Sequence, residues 1–429
     1  MIKTIQIKPL DPLLLRDGRP FGATPGASAF SVDTISPSVV AGTIRTMVGK
    51  HISSASDTPE VFHSDDTAEA VKKAKIRGPI HLLNGQAFFP FPQDVDVYEL
   101  EHHTLKVSFR RPCADISSSL GFLGTDKDGR YEGELWPVAQ ASTHKTWREK
   151  PAYVSADWMN LWLMDKLTPE DWEAELTRWR DEKNHTNPRP TEQVTFLAAF
   201  PRDARVHTAI DEETKSARDK HLFSTEMLVL PDNMSLLTEI DMPESANSWP
   251  EKPLSTLHSF GGKRRLAHFS QSDSSAFDYP EAIQSSLSTT GKTGFIRMVL
   301  ATPAYFAKGW LPGWIDTDTL VAVLGNEDAT VVLKLRWACI PRWQPVSGWS
   351  YQKKQEKAVR RMVPAGSVYF FQVESGDPVQ AMEQLWLRSI SDPNRRKGAF
   401  DKEDGFGLAM WGIWTPDTCS KKRGNGNEH

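Results

Sequence analysis

Cysteine is scarce. Cys113, Cys339 and Cys419 are the only three in 429 residues, and they form no C-x-x-C. A disulfide-dense scaffold and a structural zinc site are thereby excluded, and a reducing cytoplasm is the expected compartment. Long apolar runs are missing too. None approaches the roughly 18 residues of a membrane helix, so no membrane partner is expected. Lys3, Lys8, Asp11 and Arg16 interrupt the N-terminus, so no secretory leader is expected. Excess charge of one sign is also absent: 51 Lys and Arg face 55 Asp and Glu, a net of −4. Proteins that coat nucleic acid through bulk charge usually have pI above about 9, so that class is excluded.

What remains is a globular composition, 39% apolar with 27 Gly. At roughly 100–200 residues per domain, two or three domains are expected. Trp is over-supplied, 15 against 7 Tyr. Such large, rigid side chains suit cores and interfaces.

Ile5 and Ile7 alternate with polar neighbours as in a strand, and Leu13-Leu14-Leu15 follows. Ser36 and Pro37 can start a helix, with Val40, Ile44, Met47 and Val48 as its apolar stripe and Arg45 off it. Asn84-Gly85 predicts a hairpin between Ile80–Leu83 and Gln86–Phe91. Residues 140–190 are charged and Trp-rich, with a capping box from Thr168 and a Trp172, Leu176, Trp179 stripe. This predicts a helical insertion or lid. Residues 231–251 hold Asp232, Glu239, Asp241, Glu244 and Glu251 without Lys or Arg, which predicts a surface connector. In the last third, strands at 293–301, 330–338, 367–373 and 408–414 alternate with helices at 316–324 and 378–390. That β-α-β-β-α-β order is ferredoxin-like and is shared by RNA-recognition folds.

Enzyme motifs mostly fail. Gly291-Lys292-Thr293 lacks the glycine of a phosphate loop, since Ser286 stands there. No metal-ligand spacing occurs around His102-His103, so no metal and no cofactor are expected. A metal-free ribonuclease needs only a His and cations, and His268 or His207 beside Arg264, Arg265 and Arg205 could serve. The glycine-rich loops point to binding. Phe260-Gly261-Gly262-Lys263-Arg264-Arg265 pairs flexible backbone with three cations, and could also be a plain basic turn. Asp404-Gly405-Phe406-Gly407 offers close backbone approach and an aromatic to stack on a base, or a tight turn before a strand. Arg16-Asp17-Gly18-Arg19-Pro20-Phe21 brings two arginines and a ring, or an internal Arg–Asp pair. Lys353, Lys354, Lys357, Arg360 and Arg361 form another basic cluster.

These residues assemble into a resemblance. The stretch from Asp11 to Phe21, followed by Pro37 to Thr46, resembles the N-terminal signature of the third-subunit family of Cmr-type (type III-B) CRISPR effectors, in the RAMP superfamily. Further similarities follow in order: Ile76-Arg77-Gly78-Pro79 with Phe89-Pro90-Phe91-Pro92, Arg205 to Asp211 with Leu222-Phe223, and Gly261 to Arg265. After them come Thr302 to Phe306, Gly348-Trp349, Val363 to Tyr369 and Gly405 to Leu408. Two departures stand out: residues 140–190 match nothing in the signature, and Lys263 stands where the family pattern has an acidic residue.

The resemblance implies an α+β protein with two ferredoxin-like (RRM-like, βαββαβ) domains, at 1–270 and 271–429. The first carries the helical insertion, and a disordered tail starts near 420. It implies a non-catalytic subunit that grips the 5′ repeat-derived tag of the CRISPR RNA beside the large polymerase/cyclase subunit and a backbone subunit. A metal-independent CRISPR RNA endoribonuclease is the alternative. The RNA-binding set expected is Arg16, Arg19, Phe21, Arg45, Arg205, His207, Gly261, Gly262, Lys263, Arg264, Arg265, His268, Lys353, Lys354, Arg360, Arg361, Gly405, Phe406 and Gly407.

Overall fold

A computed structural model describes residues 2–15, 28–29, 31–54, 71–113, 134–138, 144–184, 194–211, 213–242, 253–290, 294–326, 329–350, 355–393 and 402–416. The fold is mixed, with more strand than helix. In the first half run β1 (Ile2–Pro9), α1 (Pro37–Ser54), β2 (Lys75–Leu83), β3 (Gln86–Pro90), β4 (Tyr153–Ser155), α2 (Ala156–Leu163), α3 (Pro169–Asn184) and β5 (Phe196–Leu197). After these come β6 (Arg202–Ile210), β7 (Ala217–Leu228), β8 (Met234–Asp241), β9 (Ser255–Ser259) and β10 (Leu266–Gln271). Eight of these strands form one antiparallel sheet in the order β9-β10-β1-β8-β2-β3-β4-β5. Helix α1 packs against it through the expected stripe: Val40, Ile44, Met47 and Val48 are all buried, with Ile5 and Ile7 opposite. The hairpin turns as expected, because Asn84 and Gly85 both take positive φ, at 52° and 84°.

In the second half run α4 (Glu281–Thr290), β11 (Phe295–Leu300), β12 (Val321–Asn326), β13 (Ala329–Cys339), β14 (Val368–Gly376), α5 (Pro378–Leu385), β15 (Arg388–Ser389) and β16 (Leu408–Ile413). Their antiparallel sheet has the order β12-β13-β14-β11-β16-β15. Asp377 caps α5 by accepting from the Val379 N–H at 2.8 Å, as the sequence predicts.

Three expectations are corrected. No helix forms at 316–324. Asp316 instead accepts from the backbone of Asp318 and Thr319, closing a turn, and β-branched Val321 and Val323 continue as β12. Among the strands of this sheet, three therefore follow β11 before the helix α5, and the helix α4 precedes the sheet. Second, residues 231–242 of the expected connector are not surface chain, and 243–251 lie outside the described residues. The described part centres on β8, where Leu236, Leu237 and Ile240 are fully buried. Glu239 lies inside because Arg77 clasps it, with hydrogen bonds of 2.7 and 2.5 Å.

Third, the Trp-rich segment is no lid. Strand β4 joins the sheet between β3 and β5, and Thr168 and Asp171 cap α3 reciprocally. Trp162 and Trp172 are fully buried, Trp158 packs edge-on against Trp172, and Trp179 packs against Trp147 and Phe196. One apolar cluster runs from Ile80 and Phe89 of the first sheet, through these indoles, to Ile296, Phe371 and Trp411 of the second. Inside it Arg297 is fully buried, bonded to Asp94 at 3.1 Å and Asp165 at 2.8 Å, with its guanidinium 4.2 Å from the Trp162 ring. Expectations on Gly291–Thr293 and on the tail from about 420 fall outside the described residues.

Candidate nucleic-acid interface

The three consecutive leucines build the seat of the site. Leu13 exchanges both backbone hydrogen bonds with Leu228 at the end of β7, each 2.8 Å. Leu14 accepts from the Gly262 N–H at 2.7 Å, and the Leu15 N–H donates to the Ser31 hydroxyl at 3.1 Å. The β6–β7 ribbon and the Gly261–Arg265 loop are thus tied to one buried segment. Arg16, Arg19 and Phe21 lie outside the described residues. The segment that holds them is flanked by Leu15 at this seat and by Ser28, which pairs with Ser224 of β7.

Gly261 has φ 79°, and a Cβ there would stand 3.0 Å from the Leu14 carbonyl oxygen. The glycines therefore serve close approach to the protein's own backbone, and the Gly262 N–H is already engaged. The Gly262 amide thus meets the Leu14 carbonyl where a phosphate was expected. The loop's cations are another matter. Lys263 and Arg264 both adopt left-handed φ, 57° and 54°, and both are exposed. Such conformations cost roughly 1–3 kcal/mol each and cluster at functional sites. The Lys263 Nζ lies 4.8 Å from the centre of the Phe223 ring. Arg265 turns back towards Met227, at 3.3 Å from its sulfur.

On the ribbon, Phe223 pairs directly with His207 and Thr225 with Arg205, so the four share one face. The His207 ring stacks on Phe223 with centroids 5.1 Å apart, and its Nε2 meets the Thr225 hydroxyl at 2.9 Å. Arg205 is exposed and bonded to Asp203 at 2.7 Å. The structure thus brings together Lys263, His207 and Arg205 around Phe223, with Arg264 beside them in the loop. Phe223 was missed as a site residue. The alternation His221, Phe223, Thr225 opposite Arg205, His207 is the signal that would have found it. His268 sits elsewhere, on β10, with its Nε2 at 3.0 Å from the Ser255 hydroxyl and its backbone opposite Lys8.

The other expected residues are placed as follows. Phe406 is fully buried against Val346 and Met362 and has no face left for a base. Gly405 and Gly407 have φ of 89° and 74°; a Cβ would stand 2.5 Å from the Gly78 carbonyl oxygen and 2.3 Å from the Ser391 hydroxyl, respectively. They permit tight chain packing, not ligand approach. Arg45 points inward, to Asp404 at 2.5 Å and to the carbonyls of Ala74 and Glu403. Burial pushes the Asp404 carboxyl up, and Arg45, Lys357 and Arg360 pull it back. Arg360 is buried over the Phe406 ring, at 5.5 Å, whereas Arg361 next to it is exposed. That alternation follows from their strand, Arg360–Met362. Lys353 and Lys354 lie outside the described residues.

A site with three cations, a half-buried ring and a histidine matches the kit of single-strand binding: charge for the backbone and a π-face for a base. Among the described residues, no group of three or more His, Cys, Asp or Glu could hold a metal ion, and no helix is long and apolar enough to cross a membrane.

Comparison with known proteins gives the family. Two chains in cryo-EM structures of the type III-B Cmr-beta are similar at 14% identity. One, bound to cognate target RNA and AMPPnP, has a TM-score of 0.43 over 86% of each chain. The other, bound to cognate target RNA, has a TM-score of 0.46 over 95% of this chain and 96% of that one. A chain of the Csm3-Csm4 subcomplex of the type III-A CRISPR-Cas interference complex is 9% identical, with a TM-score of 0.35 over 87% of this chain and 94% of that one. No curated protein matches. The sequence model of one family, described as CRISPR-associated protein (Cas_Cmr3), matches residues 5–414, nearly the whole chain. The chain belongs to the Cas_Cmr3 family of CRISPR-associated proteins.

Proposed function

We propose that this chain is a non-catalytic, RNA-binding subunit of a type III-B CRISPR effector. In this reading it grips the 5′ repeat-derived tag of the CRISPR RNA at the β6–β7 ribbon and the Gly261–Arg265 loop. It docks the large polymerase/cyclase subunit and a backbone subunit through other surfaces, in the cytoplasm. The convergence of Lys263 and His207 on Phe223 carries the reading. Two domains, near 1–270 and 271–429, both read as ferredoxin-like, fit it. Four adjacent strands in each sheet, β10-β1-β8-β2 in the first and β16-β11-β14-β13 in the second, run in the order fourth, first, third, second when numbered along the chain.

A short single strand needs few phosphate contacts, so the net charge of −4 is no obstacle. Sequence reading is left to guide–target base pairing, as in other RNA-guided systems. The test is equilibrium binding of a tag-length RNA to the full chain across a salt series. Affinity and salt slope should both fall on Lys263→Ala with Arg264→Ala, and an unchanged slope overturns the assignment. Metal-free cleavage of repeat RNA in EDTA, lost on His268→Ala or His207→Ala, would instead establish the nuclease.

A further inference from the structure

A recess lies against the second sheet and the segments that follow β11 and β13. It encloses about 620 Å³, within the range of ligand pockets, and its walls include Trp310, Trp337, Trp343, Ile340, Arg342 and Arg361. Trp310 and Trp343 are 43% and 42% exposed, which is unusual for residues this large and apolar. Both cations gather on one indole: Arg361 is 4.7 Å and Arg342 6.0 Å from the centre of the Trp343 ring. Both arginines are exposed, and among the described residues neither makes an ion pair.

We propose that this recess docks an acidic segment of a neighbouring protein subunit. One large apolar side chain of that segment enters between the tryptophans, and carboxylates beside it bond Arg342 and Arg361. This rests on the reading of the chain as one subunit of a multi-protein effector. The lining favours a protein segment over RNA: apart from the two cations the wall is aliphatic and aromatic, suited to a side-chain anchor. The two cations are guanidiniums, whose planar forks match the carboxylates of such a segment bidentately. Trp and Arg are also the residue types that dominate binding energy at protein interfaces.

The test uses the full chain co-expressed with its neighbouring effector subunits, with Trp310 replaced by the photo-cross-linker p-benzoylphenylalanine. Cross-linked peptides are identified by mass spectrometry. The expected product is one Asp- or Glu-bearing peptide of a protein subunit. Its yield should fall about tenfold or more with Arg342→Glu and Arg361→Glu combined. Cross-links to RNA, no cross-link in an assembled complex, or a yield indifferent to the charge reversal would each overturn the proposal. Assembly and RNA content of the unmodified complex report separately on the proposed function. If the wild-type chain enters no complex, both readings fall; if it enters one and the cross-link is wrong, only this one does.

Discussion

Arg45 of α1 and Asp404, 359 positions later, meet at 2.5 Å and tie the first helix to the loop before the last strand. Both side chains are mostly buried, at 15% and 11% exposure, so neither is presented to RNA. Arg45→Ala leaves a buried carboxylate unpaired and should cost roughly 3 kcal/mol of stability. The Asp404 carboxyl, already pushed up by burial, then loses its principal opposing charge and is protonated more readily. The loss relative to wild type should therefore be larger at pH 7 than at pH 5. Denaturant unfolding at both values checks this, and an equal loss would argue against an ionised pair.

At the ribbon, each phosphate contact removed should lower the log–log salt slope of RNA binding by roughly 0.7. Lys263→Ala and Arg264→Ala together should therefore reduce it by about 1.4 if both touch phosphate. Phe223→Ala should weaken binding by about 1–3 kcal/mol while leaving the slope in place, because stacking releases no counterions. A slope change with Phe223→Ala would show that the ring acts by positioning Lys263 instead.

Phe406→Ala should unfold the chain at lower denaturant, at a cost of about 3–5 kcal/mol, as for other buried aromatics. Gly405→Ala should also destabilise, since its Cβ would press on the Gly78 carbonyl oxygen at 2.5 Å with φ at 89°. Loss of RNA affinity without loss of stability in either variant would restore the loop to the binding site.

His81 is buried against Tyr153 and Phe200, with ring centroids 4.5 and 5.4 Å away, and burial lowers its pKa to about 4. The unfolded chain binds a proton at this residue below about pH 6.5, whereas the folded chain resists until about pH 4. Its contribution is thus present at neutral pH and lost as pH falls across that window, by about 3 kcal/mol in all. Unfolding free energies of wild type and His81→Gln between pH 7 and 4 should diverge at the top and converge at the bottom.

Replacing Arg297 by Ala should cost about 3–5 kcal/mol, because Asp94 and Asp165 would remain buried without it. Arg297→Met should recover part of that loss only when combined with Asp94→Asn. A thermal-unfolding double-mutant cycle measures the coupling.

Local chemistry was legible wherever it acts over a few residues. The Val40, Ile44, Met47, Val48 stripe, the Asn84-Gly85 turn, the Thr168 and Asp377 caps and the strands of the last third all follow from periodicity and neighbouring side chains. The resemblance carried by short ordered motifs reached the family for the same reason: their order is written in the chain. What the sequence could not give is which partner a residue finds at long range. Arg45 and Phe406 carry the chemistry of RNA contacts, yet Asp404 and Met362 claim them. Glu239 counts as surface charge until Arg77 encloses it. Glycines at 261, 405 and 407 are open to phosphate or to protein backbone alike, and only packing shows which approaches. The near-neutral charge balance set by composition excludes only bulk coating. Where the free cations gather, around Phe223 and Trp343, was decided by tertiary structure, because it depends on which guanidiniums and amines are left once the buried carboxylates have taken theirs.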